Sequence, residues 1–547
     1  MFVVSTFALL YINLYFRACS AYTIHISSCA TCGNLPWGVK TEMIFLVLIA
    51  TICCLLAEVG HGKSRYLYDL EVDPYEENNV ADETDYKLNL KAMEAIIKSW
   101  KTHGYTESNL ISTVDADTKF EECSGLCPWL DDDDDYEPLE IKQIYSSSNS
   151  PNIVLIVVDD WGYNDVGFKS TYMDWTTPNI DRLAYGGITI DQYYTHSSGQ
   201  PSRGALLTGR YSSRIGLDYS NSSYYEIELS LSEVTLAQEL KSIGYNTYMF
   251  GTWQLGFSTT MHLPTNRGFD YFYGHIGNAV DYWSKTNQEG YLDLYEGIEL
   301  VNDTYALSSD THVAILLEEK VEDKLIEHYN NYYDTPFFLY YSLPLMNGDL
   351  GWSAPQNYLD RCSVPDTIGL DDTESDDMYN YCALNVLLDD IVGNLTCTLE
   401  NYGYANDTVI VLVSSNGAPG TFSGNNYPFR GHKYDLARGA ISTTAIVHST
   451  SVSELMQGQK YYHNFHVTDW FPSLLYLASD GEWDGGLTDA EIDGSNMWRV
   501  INKNGTSVTH SLTHPLTHSH SLTHSLRLII QLYIIAMDLC TQHKKNQ

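Results

Sequence analysis

A short apolar run at residues 152–158, with the sequence NIVLIVV, constrains the fold of this chain more than any other segment. It is rich in Ile and Val and lacks the polar alternation of a strand that has one face in water. Such a run predicts a strand buried on both faces. Three further short runs, TYMFG, FFLYYSL and DTVIVLVSS, alternate with helical segments such as LSEVTLAQELKSIG. This alternation predicts an α/β fold, with a mostly parallel sheet between layers of helices.

Polar side chains directly follow two of these runs. Asp159 and Asp160 come after the first run, and Ser415 and Asn416 stand at the end of the last one. Because ligands of open α/β sheets bind outside the carboxyl ends of the strands, we expect these four residues to share one site. Two Asp at a strand end can equally form a solvated turn, and their position alone leaves both interpretations open.

The charge balance excludes one class of partner. The 547 residues include 30 Lys and Arg against 70 Asp and Glu, which gives a formal net charge of −40. Nucleic-acid binding requires clustered basic residues, so we expect no nucleic-acid partner. Much of the negative charge lies before residue 141 and ends in a run of Asp at 131–135. Residues 63–149 are therefore predicted to be an acidic pro-segment or linker, with one helix over KLNLKAMEAIIKSW.

The segment MIFLVLIATICCLLAEVGHGKS, which begins at Met43, is typical of a secretory signal peptide. A second apolar run lies upstream of it. Residues 1–62 are thus read as an upstream segment plus signal peptide; either Met43 is the true start or the gene sequence has acquired an extra segment, and we favour Met43. Asn-x-Ser/Thr sequons fit this route and occur at Asn221, Asn302, Asn394, Asn406 and Asn504. The sequence therefore predicts a secretory-pathway glycoprotein with a lysosomal or an extracellular destination.

Cysteine usage is compatible with that compartment. Five of the 11 Cys precede residue 60 and would leave with the signal region. The others are Cys123, Cys127, Cys362, Cys382, Cys397 and Cys540. Disulfides among these six are plausible, but the sequence does not reveal their pairing.

Residues 504–547 differ in character from the rest of the chain. GTSVTHSLTHPLTHSHSLTHSL is a near-repeat of Ser, Leu, Thr and His without any core periodicity. A His-rich tract can bind metal, but we prefer to read this one as translated repeat DNA at the end of a misassembled gene. The final LRLIIQLYIIAM is too short to span a bilayer as a helix, so we expect no transmembrane anchor. Nothing in the sequence indicates an oligomeric state.

Several co-linear blocks over residues 150–503 resemble those of arylsulfatase B-like sulfatases. They are DDWGYNDVGF, TTPNIDRLAYGGITIDQYYT, QPSRGALLTGRYSSRIGL, LPTNRGFDYFYGHIGNAVDYWS, SGNNYPFRGHK and HVTDWFPSLLYLA. The resemblance implies the alkaline phosphatase-like α/β/α sandwich, and the family's small C-terminal domain is expected to be missing or replaced. It also implies cleavage of a sulfate ester by a formylglycine, made from the Cys of a C-x-P-S-R block, with a calcium ion that holds the sulfate.

The nucleophile block of this chain departs from that pattern. It reads GQPSR, so that Gly199 occupies the position of the Cys while Arg203, which supports the formylglycine in the family, is retained. Glycine has no side chain to oxidise or to attack with, and no formylglycine is expected.

The implied cation site is only partly retained. Asp159, Asp160 and Asn416 match the family's calcium ligands, but Ser415 replaces an Asp. Because the affinity of a hard cation follows the number and charge of its oxygen ligands, any calcium binding is expected to be weakened.

Other positions implied by the resemblance are also substituted. The family's GKWHLG block, which supplies a Lys and a His, reads GTWQLG here, with Thr252 and Gln254. A further His is replaced by Asn347, Lys433 is retained, and Arg438 stands where the family has a Glu.

These losses predict a catalytically inactive pseudosulfatase that binds a sulfated or other anionic glycan through the old cleft. The alternative is an active hydrolase of sulfate or phosphate esters that uses Ser198 or Ser202 as a substitute nucleophile.

Overall fold

The computed structural model describes residues 116–130, 141, 150–217, 227–347, 349, 351–362, 372–420, 424–435, 437–450, 457–488 and 490–501, together with the strands Ala57–Val59 (β1) and Ser64–Tyr66 (β2). The chain divides into two compact units. One comprises residues 1–105 and 519–547, and its described part is the antiparallel pair of β1 and β2. The other comprises residues 106–518 and contains every element described below.

Several predictions fall outside the described residues. They concern most of the segment 1–62, the helix over KLNLKAMEAIIKSW, the Asp run at 131–135 and the tail 504–547. They stay predictions.

The second unit is built around one mixed sheet. Its strands are β3 (Asn152–Val158), β4 (Ile188–Tyr194), β5 (Asn246–Thr252), β6 (Tyr271–His275), β7 (Tyr295–Glu296), β8 (Glu299–Leu300), β9 (Phe337–Leu343), β10 (Thr408–Ser414), β11 (Ser442–His448), β12 (Gln459–Tyr461) and β13 (Phe465–His466). Their spatial order is β12-β4-β11-β10-β3-β9-β5-β6-β7-β8, and β13 pairs with β4. The five neighbours β10, β3, β9, β5 and β6 are mutually parallel, so their carboxyl ends lie at one edge.

Helices cover both faces of this sheet. They are α1 (Ala116–Cys123), α2 (Pro178–Gly186), α3 (Gly199–Thr208), α4 (Leu236–Ser242), α5 (Val313–Tyr332), α6 (Gln356–Leu359), α7 (Asp372–Asn401), α8 (Arg438–Ile441), α9 (Trp470–Ala478) and α10 (Trp498–Ile501). Apolar residues of α3, α4 and α9 join one core cluster, and those of α2, α5 and α7 join the other.

The central strand β3 shows why the sequence folds in this way. Its odd-numbered residues from 153 to 157 pack in the first cluster, and its even-numbered residues from 154 to 158 pack in the second. All seven residues of the strand are buried, which is why its sequence lacks a polar alternation. The predicted α/β/α sandwich with a mostly parallel sheet is confirmed.

The folded part begins earlier than residue 150, the boundary predicted from the sequence. Phe120 in α1 is fully buried, and Leu126 is 2% exposed. The Leu126 amide donates to the Leu292 carbonyl at 2.8 Å, and the Trp129 amide donates to the Ser258 carbonyl at 3.0 Å. Residues 116–130 therefore belong to the core rather than to a linker. The charge pattern did not predict this packing, because α1 also carries exposed acidic residues such as Glu121 and Glu122.

Disulfides link Cys123 to Cys127 and Cys362 to Cys382, whereas Cys397 is an exposed free thiol.

One described helix segment is long and apolar enough to cross a membrane. It is Asp376–Asn401 of α7, and 78% of its most apolar window is buried inside the protein. Its Leu384, Leu387 and Leu388 are fully buried in the second core cluster. The apolar character of this segment is thus used in packing against the sheet.

Candidate functional site

The carboxyl ends of the five parallel strands carry a group of polar residues. These are Asp159 and Asp160 after β3, Gln254 after β5, Asn278 after β6, Asn347 and Asp349 after β9, and Ser415 and Asn416 after β10. Four of them, Asp159, Asp160, Ser415 and Asn416, are expected from the sequence to share one site, and the structure brings these four together.

Arg203 is held against the first of the acidic residues. It lies in the second turn of α3 and is 1% exposed. Its guanidinium pairs with the Asp159 carboxylate and donates from Nε and Nη2 to the Ser342 hydroxyl at 3.2 and 3.0 Å. Burial, the largest single influence, lowers the pKa of Arg203, but the charges of Asp159 and Asp160, the neighbouring Tyr340 and the hydrogen bond to Asp159 together outweigh it, and the pKa lies above its ordinary value. Arg203 is therefore a fixed, fully paired cation.

Lys433 is the second buried cation of the site. Its side chain is 5% exposed, and Nζ lies 2.7 Å from Oδ2 of Asp160 and 3.1 Å from Oδ1 of Asp349. Burial, the largest single influence, opposes the charged form, yet Asp160, Tyr434 and Asp349 together raise the pKa of Lys433 well above its ordinary value. Burial also raises the pKa of Asp160, to about 6, although the Lys433 charge opposes this.

Two amide side chains connect these ion pairs. Gln254 Oε1 accepts from Arg203 Nη1 at 2.9 Å, and Gln254 Nε2 donates to Oδ1 of Asn278. Asn278 Nδ2 in turn donates to Oδ2 of Asp349 at 3.1 Å. Gln254 has a φ of 59°, in the left-handed region that non-glycine residues adopt mainly where their surroundings fix them. The Gln at this position thus bridges Arg203 to Asn278.

Ser415 and Asn416 complete the connection on the other side. Ser415 Oγ lies 3.2 Å from Oδ1 of Asp159 and 2.8 Å from Oδ1 of Asn416. Asn416 Nδ2 donates to Oδ1 of Asp160 at 2.8 Å. Each polar group of the site therefore contacts two others, and the contacts form a closed loop.

We refer to this loop as the polar ring. Its members, in order of contact, are Asp159, Arg203, Gln254, Asn278, Asp349, Lys433, Asp160, Asn416 and Ser415. Three carboxylates and two cations give it a formal net charge of −1. All members except Asp349, which is exposed, are buried, and buried polar groups that satisfy one another in this way leave little capacity for a new ligand.

The ring does not fit a calcium ion. Calcium requires six to eight oxygen ligands, carboxylates and carbonyls above all. Asp159 is paired with Arg203, Asp160 with Lys433, and Oδ1 of Asn416 accepts a hydrogen bond from the Ser415 hydroxyl. Within the described residues no cluster of three or more His, Cys, Asp or Glu is arranged to hold a metal.

Gly199 is the first residue of α3 and faces the ring. An ideal Cβ placed on it would lie 2.5 Å from Nη1 of Arg203 and 2.9 Å from Oε1 of Gln254. Both atoms are held by the hydrogen bonds of the ring. The space next to position 199 is therefore filled by neighbouring side chains.

The remaining predicted residues lie close to the ring without being part of it. Thr252 ends β5 and is buried, and its hydroxyl contacts no hydrogen-bond partner in the described part of the chain. Asn347 accepts from the Asp349 amide at 3.0 Å and so shapes the turn that carries that acid. Ser202 Oγ donates to the Ser198 carbonyl at 2.8 Å, a bond within the first turn of α3.

Sequence reasoning missed three contributors, namely Asn278, Ser342 and Asp349. Each lies at or just beyond the carboxyl end of a parallel strand, which is the signal that could have identified them. The turn PLMNGDLG contains Asp349, but its register was ambiguous in the sequence, so its acid was not recognised.

Asp293 supports the turn that carries Asn278, and its titration provides a test of this part of the site. It is fully buried, and it accepts from the Ile276 and Gly277 amides at 2.8 and 2.9 Å. Burial raises its pKa to about 7. A raised pKa contributes stability that is fully present below the unfolded value, near 4, and is lost as the pH rises through about 7.

We therefore expect the free energy of unfolding of Asp293→Asn to rise by about 2 kcal/mol, relative to that of the wild type, when the pH is raised from 5 to 8. The reason is that the wild type must ionise a buried carboxyl over this range and the variant has none. Urea unfolding of both proteins at the two pH values measures this difference. Asp323→Asn, at an exposed position of α5, is the control and should show no such change. A difference that is the same at pH 5 and pH 8 would contradict the assignment.

Comparison with known proteins agrees with the fold described above. The family model described as Sulfatase matches residues 151–480. The chain belongs to the sulfatase family. Arylsulfatase J of Mus musculus is 32% identical to it over 365 residues, which are 65% of this chain and 57% of the relative. N-acetylgalactosamine-6-sulfatase of the same organism is 28% identical over 64% of this chain and 68% of its own length. The chain thus spans little more than half of the first of these sulfatases.

Solved sulfatase-like structures share the fold. The structure of Ps i-CgsB in complex with k-i-k-neocarrahexaose superposes with a TM-score of 0.55 at 27% identity, over 65% of this chain and 77% of that one. The PsFucS1 sulfatase from Pseudoalteromonas sp. has a TM-score of 0.53 at 22% identity, over 65% and 72% of the two chains, and supports the fold alone. This sulfatase-family chain therefore combines the family's sheet with a polar ring at the edge where its ligand site is expected.

Proposed function

We propose that this chain is a pseudosulfatase, a sulfatase-family protein that does not turn over sulfate esters and binds an anionic glycan instead. The absence of turnover is inferred from the residue at position 199. Gly199 offers no nucleophile, and Arg203 and Gln254 fill the space that a side chain there would need. Sulfate ester hydrolysis requires a group that attacks sulfur, and none of the ring members stands in that place.

The charges of the ring support the same proposal. Hydrolysis of a sulfate ester also requires positive charge directed at the oxygens that become more negative in the transition state. Arg203 and Lys433 are instead directed at Asp159, Asp160 and Asp349. A sulfate that entered the ring would have to displace a buried carboxylate from its cation, which is costly.

Calcium has no role in this proposal. The retained residues Asp159, Asp160 and Asn416 are engaged with other members of the ring. The chemistry that calcium supplies in the family is therefore not assigned to this chain.

Glycan binding is supported by the carbohydrate ligand named for the neighbour Ps i-CgsB, at 27% identity. Because the ring has a net negative charge, an anionic glycan is expected to contact residues around the ring rather than its members. Such binding needs no nucleophile and leaves the ring intact.

A second candidate function rests on Ser198. Its hydroxyl is buried at the amino end of α3, next to Gly199, and has no hydrogen-bond partner in the described ranges. A hydroxyl in this position is the one feature that favours an active hydrolase with a substitute nucleophile. Assays with 4-nitrophenyl phosphate and 4-nitrophenyl sulfate, with and without calcium or zinc, test it. Turnover that Ser198→Ala abolishes would establish this function and refute the pseudosulfatase.

We also propose that the protein enters the secretory pathway, with a lysosomal or extracellular destination. Asn302, Asn394 and Asn406 are sequon positions on exposed parts of the chain. The two disulfides fit an oxidising compartment. A shift in mass after N-glycosidase treatment of protein from secreting cells tests the proposal.

Restoring the nucleophile alone tests the pseudosulfatase directly. We expect Gly199→Cys to give no turnover of 4-nitrophenyl sulfate above the wild-type background. We also expect it to destabilise the protein by about 1–3 kcal/mol, because its Cβ meets Arg203 and Gln254.

Gly199→Ala is the matched control, since it adds the same Cβ without a thiol. Its loss of stability should equal that of Gly199→Cys, and it should be equally inactive. Robust sulfatase turnover by Gly199→Cys would overturn the proposed function.

A further inference from the structure

A small pocket lies between helices α5 and α7, on the side of the sheet where the second core cluster packs. Its volume is about 230 Å³. Pockets for drug-sized ligands have volumes of roughly 300–1,000 Å³, so this one suits a smaller molecule. Apolar side chains of both helices form part of its walls, namely Val321 and Leu325 of α5 and Ile391 and Leu395 of α7. We call it the α5–α7 pocket.

A buried hydroxyl lines this pocket and has no partner among the described residues. It belongs to Tyr341 of β9, which is 1% exposed. Burial raises the pKa of Tyr341 well above its ordinary value, and the charge of Glu318, a second lining residue, raises it further. Since that charge acts on the phenol, the hydroxyl lies on the side of the pocket. A buried polar group without a partner is costly, and a ligand that bonds to it removes the cost.

Two carboxylates also line the pocket. Glu318 and Glu322 lie one turn apart on α5. Asn394 Nδ2 of α7 donates to Oε1 of Glu318 at 2.7 Å and so holds this carboxylate in the space between the helices. Burial raises the pKa of Glu318, the Asn394 bond lowers it, and the charges of Asp390 and Glu322 raise it again. The acids around Glu318 therefore repel one another, and a cation placed among them would relieve this repulsion.

The basic side chains of the same part of α5 are engaged elsewhere. Lys320 Nζ lies 5.1 Å from the ring centre of Tyr273, and Lys324 Nζ lies 3.8 Å from that of Tyr271, both on β6. Among the described residues, the lining of the pocket includes two acids and no Lys, Arg or His. A negative pocket in a protein whose formal net charge is −40 attracts cations.

We propose that the α5–α7 pocket binds a small organic ammonium ion. An –NH₃⁺ group has three donors, which match the carboxylates of Glu318 and Glu322 and the hydroxyl oxygen of Tyr341. A short hydrocarbon chain on the ammonium contacts the apolar walls, from which a bare inorganic cation gains nothing. The pocket is separate from the polar ring, so this inference does not depend on the proposed function.

Cys397 provides a way to measure occupancy in the full chain. It is an exposed free thiol on α7 and lines the pocket. Its thiolate displaces methanesulfinate from a methanethiosulfonate reagent and forms a mixed disulfide, and the mass of the peptide that contains Cys397 gives the rate. The quantity measured is the rate with the 2-aminoethyl reagent, which carries an ammonium, divided by the rate with the neutral methyl reagent. The same ratio for N-acetylcysteine amide is the reference.

We expect this ratio to be at least about tenfold higher for Cys397 than for the reference, because the pocket concentrates the ammonium next to the thiol. Added n-butylammonium chloride at millimolar concentration should return the ratio to the reference value. Sodium chloride at the same ionic strength and 1-butanol at the same concentration should have much less effect.

Two variants of the pocket test the assignment. Glu318→Gln keeps an oxygen that accepts from Asn394, and it should lower the ratio about tenfold, since a hydrogen bond to a charged group is lost from the complex. Tyr341→Phe keeps every charge and breaks no hydrogen bond of the described structure, so it is expected to fold. It should raise the half-maximal concentration of n-butylammonium by about threefold.

Each variant has a matched control. Asp323→Asn removes one exposed charge of α5 at a position outside the pocket lining. Tyr273→Phe removes another buried hydroxyl that has no partner among the described residues, on β6. Neither control should change the ratio or the half-maximal concentration appreciably.

A ratio for Cys397 equal to the reference would overturn the ammonium pocket. So would a high ratio that n-butylammonium lowers no more than sodium chloride does, because the acidic surface alone would then explain it. Equal responses of Tyr341→Phe and the wild type would show that the hydroxyl is not part of the site and would also overturn the proposal. None of these measurements depends on sulfatase turnover or on glycan binding.

Discussion

Arg203→Met is expected to lower the free energy of unfolding by about 3–5 kcal/mol, the usual cost of leaving one partner of a buried ion pair alone. Without Arg203, the Asp159 carboxylate remains 3% exposed with Ser415 as its one other partner in the ring. Ser342 and Gln254 also lose the guanidinium to which they are bonded. Urea unfolding at pH 7, monitored by circular dichroism, measures the loss.

Two further variants make this result specific. Arg361→Met removes an exposed pair with Asp390 and should cost less than about 1 kcal/mol. The double variant Asp159→Leu with Arg203→Met should be more stable than Arg203→Met alone, because no uncompensated charge is left. An Arg203→Met protein within about 1 kcal/mol of the wild type would show that the pair is not buried as described.

Lys433→Met is expected to cost a similar amount and, in addition, to create a response to calcium. In the wild type, Asp160 and Asp349 share the Lys433 ammonium. Without it, two carboxylates face the same space, and a divalent cation can neutralise both. We expect 5 mM calcium to raise the thermal midpoint of Lys433→Met by several degrees, and to leave the wild type unchanged. EDTA should likewise have no effect on the wild type.

Lys324→Met serves as the control for this experiment. Lys324 pairs with Glu327, whose side chain is 49% exposed, so that its removal leaves no buried acid. Neither its stability nor its response to calcium should differ much from the wild type. We expect calcium to stabilise only the variant. If calcium stabilised the wild type as strongly as it stabilises Lys433→Met, the Lys433 ammonium would not be taking the place of a bound cation.

The sequence predicted the fold well because the central sheet has a strong local signature. The runs at residues 152–158, 337–343 and 408–414 are buried strands that no amphipathic helix resembles. Of the helical segment predicted at 231–244, only Leu236–Ser242 is helical, after the capping residue Thr235. Positions near the ends of elements depend on such local hydrogen bonds and are harder to read from periodicity.

The sequence predicted some of the residues of the site, but it did not predict which of them contact one another. Asp159, Asp160 and Asn416 were recognised from the family pattern and from their place at strand ends. The pairing of Arg203 with Asp159, or of Lys433 with Asp349, joins residues far apart in the chain and depends on how the loops pack. The sequence therefore indicated retained cations that could bind an anion, whereas both cations are already neutralised by carboxylates.

The closed form of the polar ring has a consequence for how such a protein evolves. Gln254 and Ser415 are substitutions relative to the family pattern, and both now act as bridging members of the ring. Reverting Ser415 to Asp would place another negative charge beside Asp159, and reverting Gln254 would interrupt the link between Arg203 and Asn278. Each of these reversions is expected to lower the stability of the protein before any activity can return. The ring therefore makes the loss of the ancestral site hard to reverse.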